Sequence, residues 1–180
     1  MLKTIICAGF GGQGVLTAGK IIMYAAYKKG LNVTWFPSYG NEMRGGAANC
    51  NVVISDERIA SPYADNPDIV MALNEPSVNK FESLIPSGGF LFVNSSMVSE
   101  NRQYRDDITV IKAPVTELAQ EAGSERNANI CMLGKIIHDT ELFTINEFKE
   151  SMCSYFESQN KGKFNEKNVE VLMMGYQSTK

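Results

Sequence analysis

Apolar residues along this chain fall into two alternating kinds of pattern. Lys3 to Ala8 is a short, nearly unbroken apolar run, as expected for a strand covered on both faces. After a cluster of glycines, Val15, Ala18, Ile22 and Ala25 return at helical spacing, and Lys28, Lys29 and Gly30 supply a C-terminal stop. LNVTWF then reads as a second strand closed by Pro37. The chain thus opens on a strand–helix–strand unit whose crossover should be right-handed.

The alternation continues. PSYGNEMRGGAAN is poor in apolar residues and reads as a loop, CNVVIS is strand-like, and the turn SDER before Ile59 predicts a hairpin. PDIVMALN predicts a buried strand between Pro67 and Asn74. A helix through Lys80–Leu84 should stop at Pro86, with further strands in GGFLFVNSS and DITVIKAP. Thr116 and Glu117 open a short helix ending near Gly123, and helical patterns cover about 129–140, 146–157 and 165–176. This order predicts an α/β fold: a Rossmann-like, mostly parallel sheet flanked by helices, with a helical C-terminal third. At 180 residues, 44% of them hydrophobic, the chain suffices for a single domain over residues 1–180.

Composition narrows the function classes. The net charge is −3, and Lys and Arg are scattered, so no nucleic-acid footprint is expected. No apolar run approaches the roughly 18 residues of a membrane span. Gly9, Gly11 and Gly12 break the first apolar run before a secretory signal can form. Cys7, Cys50, Cys131 and Cys153 include no C-x-x-C, and His138 is the lone histidine, so no zinc set or iron–sulfur cluster is expected on this chain. Cys7 and Cys50 sit in strand patterns and read as small buried hydrophobes. A reduced, cytoplasmic protein follows from this cysteine usage.

The candidate chemistry lies at GFGGQG. Gly9, Gly11 and Gly14 satisfy G-x-G-x-x-G at a strand-to-helix turn. Such glycines allow a tight turn, close approach of a ligand, and helix–strand packing. The helix end favours a phosphate or carboxylate by roughly 0.3–1 kcal/mol. A dinucleotide site also needs an acid about 20 residues on, yet Thr34 stands there, within VTWFPSYG. NAD and FAD are therefore disfavoured. Gly12 adds a fourth glycine, and Gln13 brings an amide to the helix mouth. The loop YGNEMRGG should reach the same carboxyl edge of the sheet, with Glu42 and Arg44 between Gly40 and the Gly45–Gly46 bend. Trp35, Phe36, Tyr39, Met43 and Arg44 together suggest a surface covered by a partner.

Taken together, GFGGQGVLTAGK, PSYGNEMRGGAANCNVVIS, PDIVMALNEPS and NSS closely resemble the gamma subunit of 2-oxoacid:ferredoxin oxidoreductases, of the 2-oxoglutarate or branched-chain type. The segment ANICMLG resembles the family's A-N-x-x-x-L-G, which brings Asn129 into the set. The resemblance implies a subunit of an enzyme that oxidatively decarboxylates a 2-oxoacid, forms an acyl-CoA and reduces ferredoxin. It implies alpha and beta subunits holding thiamine diphosphate and Mg, and iron–sulfur clusters on beta or on a ferredoxin-like delta subunit. No catalytic residue and no metal are implied on this chain. Gly11, Gly12, Gln13, Gly14 and Arg44 become candidates for a phosphate of coenzyme A. Tyr39, Gly40, Glu42, Arg44, Gly45, Gly46 and Asn129 become candidates for the partner- and active-site-facing surface. A free-standing nucleotide- or flavin-binding module is the alternative reading.

Overall fold

The apolar run at the N-terminus becomes a central strand. In the computed structural model, which describes residues 1–39 and 46–179, the strands are β1 (Leu2–Phe10), β2 (Asn32–Tyr39), β3 (Ala47–Ser55), β4 (Ile69–Ala72), β5 (Phe90–Asn94) and β6 (Thr109–Ala113). They form one sheet in the order β2-β3-β1-β4-β5-β6. β1, β4, β5 and β6 pair in parallel, and β3 is antiparallel to both β1 and β2. Only β3 is reversed among the described strands, so the sheet is mixed but mostly parallel.

The helices are α1 (Val15–Lys28), α2 (Glu75–Phe81), α3 (Val115–Glu121), α4 (Ala128–Thr140), α5 (Ile145–Ser158) and α6 (Asn165–Gln177). The period-2 pleat divides the core. Ile5, Cys7, Val52, Met71 and Phe92 pack in one cluster with Ile22 of α1, Leu133 of α4, Phe148 of α5 and Leu172 of α6. Ile6, Ala8, Val70, Leu91 and Val93 form the other, with Val78 and Phe81 of α2. Burying each large aliphatic side chain contributes about 1.5–3 kcal/mol, which is why the doubly covered strands read as unbroken apolar runs. No described helix is long and apolar enough to cross a membrane.

Several expectations are corrected. SDER closes no hairpin, because both edges of β3 are already taken by β1 and β2. Instead Glu57 N donates to Ser55 Oγ at 3.0 Å, and the chain runs on to β4 without another strand. Pro37 does not end β2; it pairs opposite Cys50 within an edge strand, where a missing donor is tolerated. The helix expected through 80–84 begins earlier, at Glu75, and narrows to a 3-10 turn over Glu82–Leu84. Asn74 starts it, its Oδ1 accepting from Ser77 N at 2.9 Å. Helix–strand packing falls to Gly19 rather than Gly14: a Cβ on Gly19 would meet Cys50 Sγ, and Trp35 Nε1 at 3.0 Å.

Candidate functional site

Four residues turn the end of β1 into the start of α1. Gln13 N donates to Phe10 O at 3.0 Å, closing the turn. Gly12 (φ 102°) and Gly14 (φ 72°) take left-handed conformations that only glycine adopts cheaply. Gly14 is the N-cap of α1, with no side-chain cap. A Cβ on Gly12 would meet nothing within 4 Å, so this corner of the turn faces open space. Gly11 N donates to Gly46 O at 2.9 Å, which fastens the turn to the residue before β3. Gly46 therefore stands beside the turn, at the carboxyl edge of β1, as its place in the sequence predicts. Gly40, Glu42, Arg44 and Gly45 lie outside the described residues, and Tyr39 is the last residue of β2, paired with Ala48.

Gln13 spends its amide on the protein. Its Oε1 accepts from Phe10 N at 2.6 Å and from Asn74 Nδ2 at 2.9 Å, while its Nε2 donates to Leu73 O at 3.3 Å. Asn94 Nδ2 reaches the same Leu73 carbonyl at 3.3 Å and Thr116 Oγ1 at 2.9 Å. A polar seam thus crosses the carboxyl ends of β1, β4, β5 and β6. It holds the glycine turn rigid, since each buried group is paired. Asn74 and Asn94 were absent from the candidate residues. Asn74 carries a signal, an Asn followed by Glu and Pro at a helix start; Asn94 ends an apolar run and opens NSS, one of the segments that carry the resemblance.

Asn129 comes to the turn from α4. It is buried, and its Nδ2 donates to Gly14 O at 2.9 Å. The structure therefore unites Gly11, Gly12, Gln13, Gly14, Gly46 and Asn129 at one sheet edge. Behind them lies the Cys7–Cys50 pair, directly opposed in the β1–β3 ladder. The contact with Cys50, together with complete burial, holds the Cys7 thiol well above its ordinary range. Among the described residues no group of three or more His, Cys, Asp or Glu could hold a metal.

The fold also accounts for the missing ribose acid. Thr34 lies on β2, and β3 stands between β2 and β1. The end of the second strand is therefore not beside the glycine turn, where a dinucleotide would need its carboxylate. What the arrangement offers is a rigid corner with exposed backbone and a helix N-terminus, suited to an anionic group.

The sequence model of a family described as Pyruvate ferredoxin/flavodoxin oxidoreductase matches residues 4–178. The chain is 37% identical over 183 residues to the 2-oxoglutarate synthase subunit KorC of Methanocaldococcus jannaschii, across 100% of this chain and 95% of that one. It is 41% identical over 127 residues to the ketoisovalerate oxidoreductase subunit VorA of Methanothermobacter marburgensis. That match covers 71% of this chain and 26% of the relative, so the chain spans about a quarter of VorA. Among solved structures, the gamma subunit of keto/oxoacid ferredoxin oxidoreductase from Geobacter sulfurreducens superposes with a TM-score of 0.81 and 26% identity, over 97% of this chain and 96% of that one. A 2-oxoglutarate:ferredoxin oxidoreductase from Magnetococcus marinus, solved with 2-oxoglutarate, coenzyme A and succinyl-CoA bound, shares the fold at TM-score 0.83 and 23% identity, over 99% of this chain and 32% of that one.

Proposed function

The chain belongs to the pyruvate ferredoxin/flavodoxin oxidoreductase family, and on that premise we propose that it is the non-catalytic gamma subunit of a 2-oxoacid:ferredoxin oxidoreductase. Its task in this reading is to form the coenzyme A side of the active site. The observation that carries the reading is the 2.9 Å hydrogen bond from Gly11 N to Gly46 O. It ties the anion-favouring turn to Gly46 at the carboxyl edge, which supports the reading that Glu42 and Arg44, just before Gly46 in the chain, serve the same surface. The near full-length match to KorC favours 2-oxoglutarate over other 2-oxoacids.

In this reading the partners are alpha and beta subunits, a ferredoxin-like delta subunit, and ferredoxin as acceptor, in the cytoplasm. Thiamine diphosphate and Mg on the partners supply decarboxylation, and iron–sulfur clusters there carry the electrons. This chain's residues do the positioning. Gly12 leaves room for close approach, the first amides of α1 face the anion, and Arg44 adds a planar two-pronged donor to a phosphate of coenzyme A. Gln13 acts from behind, by locking the turn through Phe10 and Leu73. A wall held this rigidly positions the thiol and keeps water from the reacting centre. Tyr39, Gly40, Glu42 and Gly45 complete the partner-facing surface, and Asn129, buried, supports it from behind through Gly14 O.

The test is reconstitution. With Arg44→Ala in the assembled complex, the coenzyme A requirement should rise or assembly loosen, while decarboxylation before coenzyme A entry persists. The isolated chain should reduce no dye with any 2-oxoacid. Turnover by the chain alone, or an Arg44→Ala complex equal to wild type in assembly, coenzyme A dependence and decarboxylation, would overturn the reading.

A further inference from the structure

The first glycine of the turn makes room for a side chain. A Cβ on Gly9 would lie 2.7 Å from Gln13 Oε1 and 3.3 Å from the Leu73 Cβ, so Gln13 folds back over the end of β1 toward Leu73. β1 and β4 are parallel neighbours, and Leu73 N donates to Ala8 O at 2.9 Å, carrying their ladder one residue past β4. From here the chain leaves to opposite faces, α1 packing in one core cluster and α2 in the other. This is the topological switch point, where an open α/β sheet has its ligand crevice. Here the Gln13 side chain bridges that crevice.

The bridge has a fixed sense. Gln13 Oε1 stands between two donors, Phe10 N at 2.6 Å and Asn74 Nδ2 at 2.9 Å, and Nε2 faces the Leu73 carbonyl at 3.3 Å. A reversed amide would set its N–H groups against both donors and its oxygen against the carbonyl.

Asn74 is fixed in turn. It is 1% exposed, and its Oδ1 caps α2 by accepting from Ser77 N at 2.9 Å, so Nδ2 is the end left for Gln13. The next residue, Glu75, fastens the start of α2 to Ser99 N and Arg102. A fixed element on one face of the sheet thus dictates an amide in the turn that leads to the other face.

We propose that Asn74 is a positioning residue for the coenzyme A side of the active site. It acts through Gln13 rather than on the ligand: it sets the sense of the Gln13 amide, which holds Phe10 N and with it the amides of Gly11 and Gly12. The proposal rests on the subunit reading above and adds to it a residue from outside the glycine motif and the 40–46 loop.

Amide exchange by NMR on the full chain tests the contact itself. In the wild type, the Asn74 and Gln13 side-chain amide protons should exchange at least about tenfold slower than those of a free amide. Free exchange overturns the proposal. Asn74→Ser keeps an oxygen for Ser77 N but is too short to reach Gln13. The Phe10 and Gln13 backbone amides should then exchange at least about tenfold faster, with Ser77 N within about twofold of wild type. If circular dichroism shows Asn74→Ser unfolded, Asn74→Asp, which also keeps the cap oxygen, replaces it.

In the reconstituted complex the same variant should raise KM for coenzyme A at least about fivefold, with kcat at saturating coenzyme A within about twofold. In a Gln13→Ala background it should change KM less than about twofold, since both residues act through one bond. A full effect in that background, or unchanged exchange in a folded variant, overturns the proposal. Arg44→Ala, measured beside it, separates the two readings. A coenzyme A requirement raised by Arg44→Ala but not by Asn74→Ser overturns this proposal alone. If neither moves it while the exchange shifts as expected, the subunit reading is overturned and the Asn74–Gln13 coupling stands.

Discussion

Asn129 Nδ2 donates to the carbonyl oxygen of Gly14 at 2.9 Å, joining positions 115 residues apart. The same amide occupies the place a side chain at position 14 would need: a Cβ there would lie 2.5 Å from Nδ2. Gly14 is also left-handed, at φ 72°. Gly14→Ala should therefore destabilise the chain by roughly 2–3 kcal/mol, about 1–2 from the backbone and the rest from the displaced hydrogen bond. Asn129→Ala removes the obstruction, so the double variant should lose less than the sum of the singles. Urea unfolding of all four proteins measures this coupling. Strict additivity would mean that the two residues do not share the space.

That pair also marks what the sequence could not convey. The helices over Ala128–Thr140, Ile145–Ser158 and Asn165–Gln177 fall within about a residue of their apolar periodicity, because that periodicity is the face each buries. The glycine turn was legible for the same local reason. Partner choice was not. CNVVIS reads identically whichever strand it joins, so the insertion of β3 between β1 and β2 left no trace in its own residues. The Asn-Glu-Pro run at Asn74 holds a helix-start signal but none that makes Asn74 the partner of Gln13, since that contact depends on β1 and β4 being neighbours. The Asn129 contact with Gly14 is likewise a product of tertiary packing.

Glycines inside helices make the second prediction. A Cβ on Gly175 would strike the Cys131 carbonyl oxygen, and one on Gly134 the Leu172 carbonyl oxygen, so α4 and α6 touch backbone to backbone. At Gly19 the obstacles are the Cys50 and Trp35 side chains rather than backbone. Alanine gains about 0.5–1 kcal/mol of helix propensity at each site. Gly19→Ala should still cost about 1–3 kcal/mol. Gly175→Ala and Gly134→Ala should cost more than Gly19→Ala, because a backbone atom cannot rotate aside. Melting temperatures in the order wild type, Gly19→Ala, Gly175→Ala are expected. The reverse order of the variants would contradict this packing.

The third prediction concerns acid. Glu75 sits below the ordinary carboxylate range, held there first by Ser99 N–H at 2.9 Å and then by Arg102 at 2.5 Å. Asp107 is lowered by Arg105, and Glu147 by the Thr144 backbone N–H in the capping box of α5. A carboxyl depressed on folding stabilises the native state above its unfolded value of about 4, and that contribution is lost as pH falls through the lower folded value. The urea midpoint should hold between pH 7 and about 5, then decline toward pH 3. Glu75→Gln should lower the neutral-pH midpoint and flatten part of the decline. An unchanged slope would remove Glu75 from the account.

The cysteines provide a test of the core itself. Cys7, Cys50 and Cys131 are fully buried, whereas Cys153 is only partly so. Burial pushes the Cys131 thiol up to about 12. At pH 8 about one Cys131 in ten thousand would then be the reactive thiolate. Cys7 is raised as well, and Cys50 is withheld by lack of access whatever its ionisation. Cys153 is also raised, first by its partial burial and then by Glu157 nearby, but reagent can reach it. A disulfide reagent at pH 8 should therefore titrate one thiol, slowly, in the native chain and all four in guanidinium. Peptide mapping should place the native adduct on Cys153. If Cys7 or Cys50 reacted at a comparable rate, the β1–β3 ladder would have to open far more readily than strands packed on both faces allow.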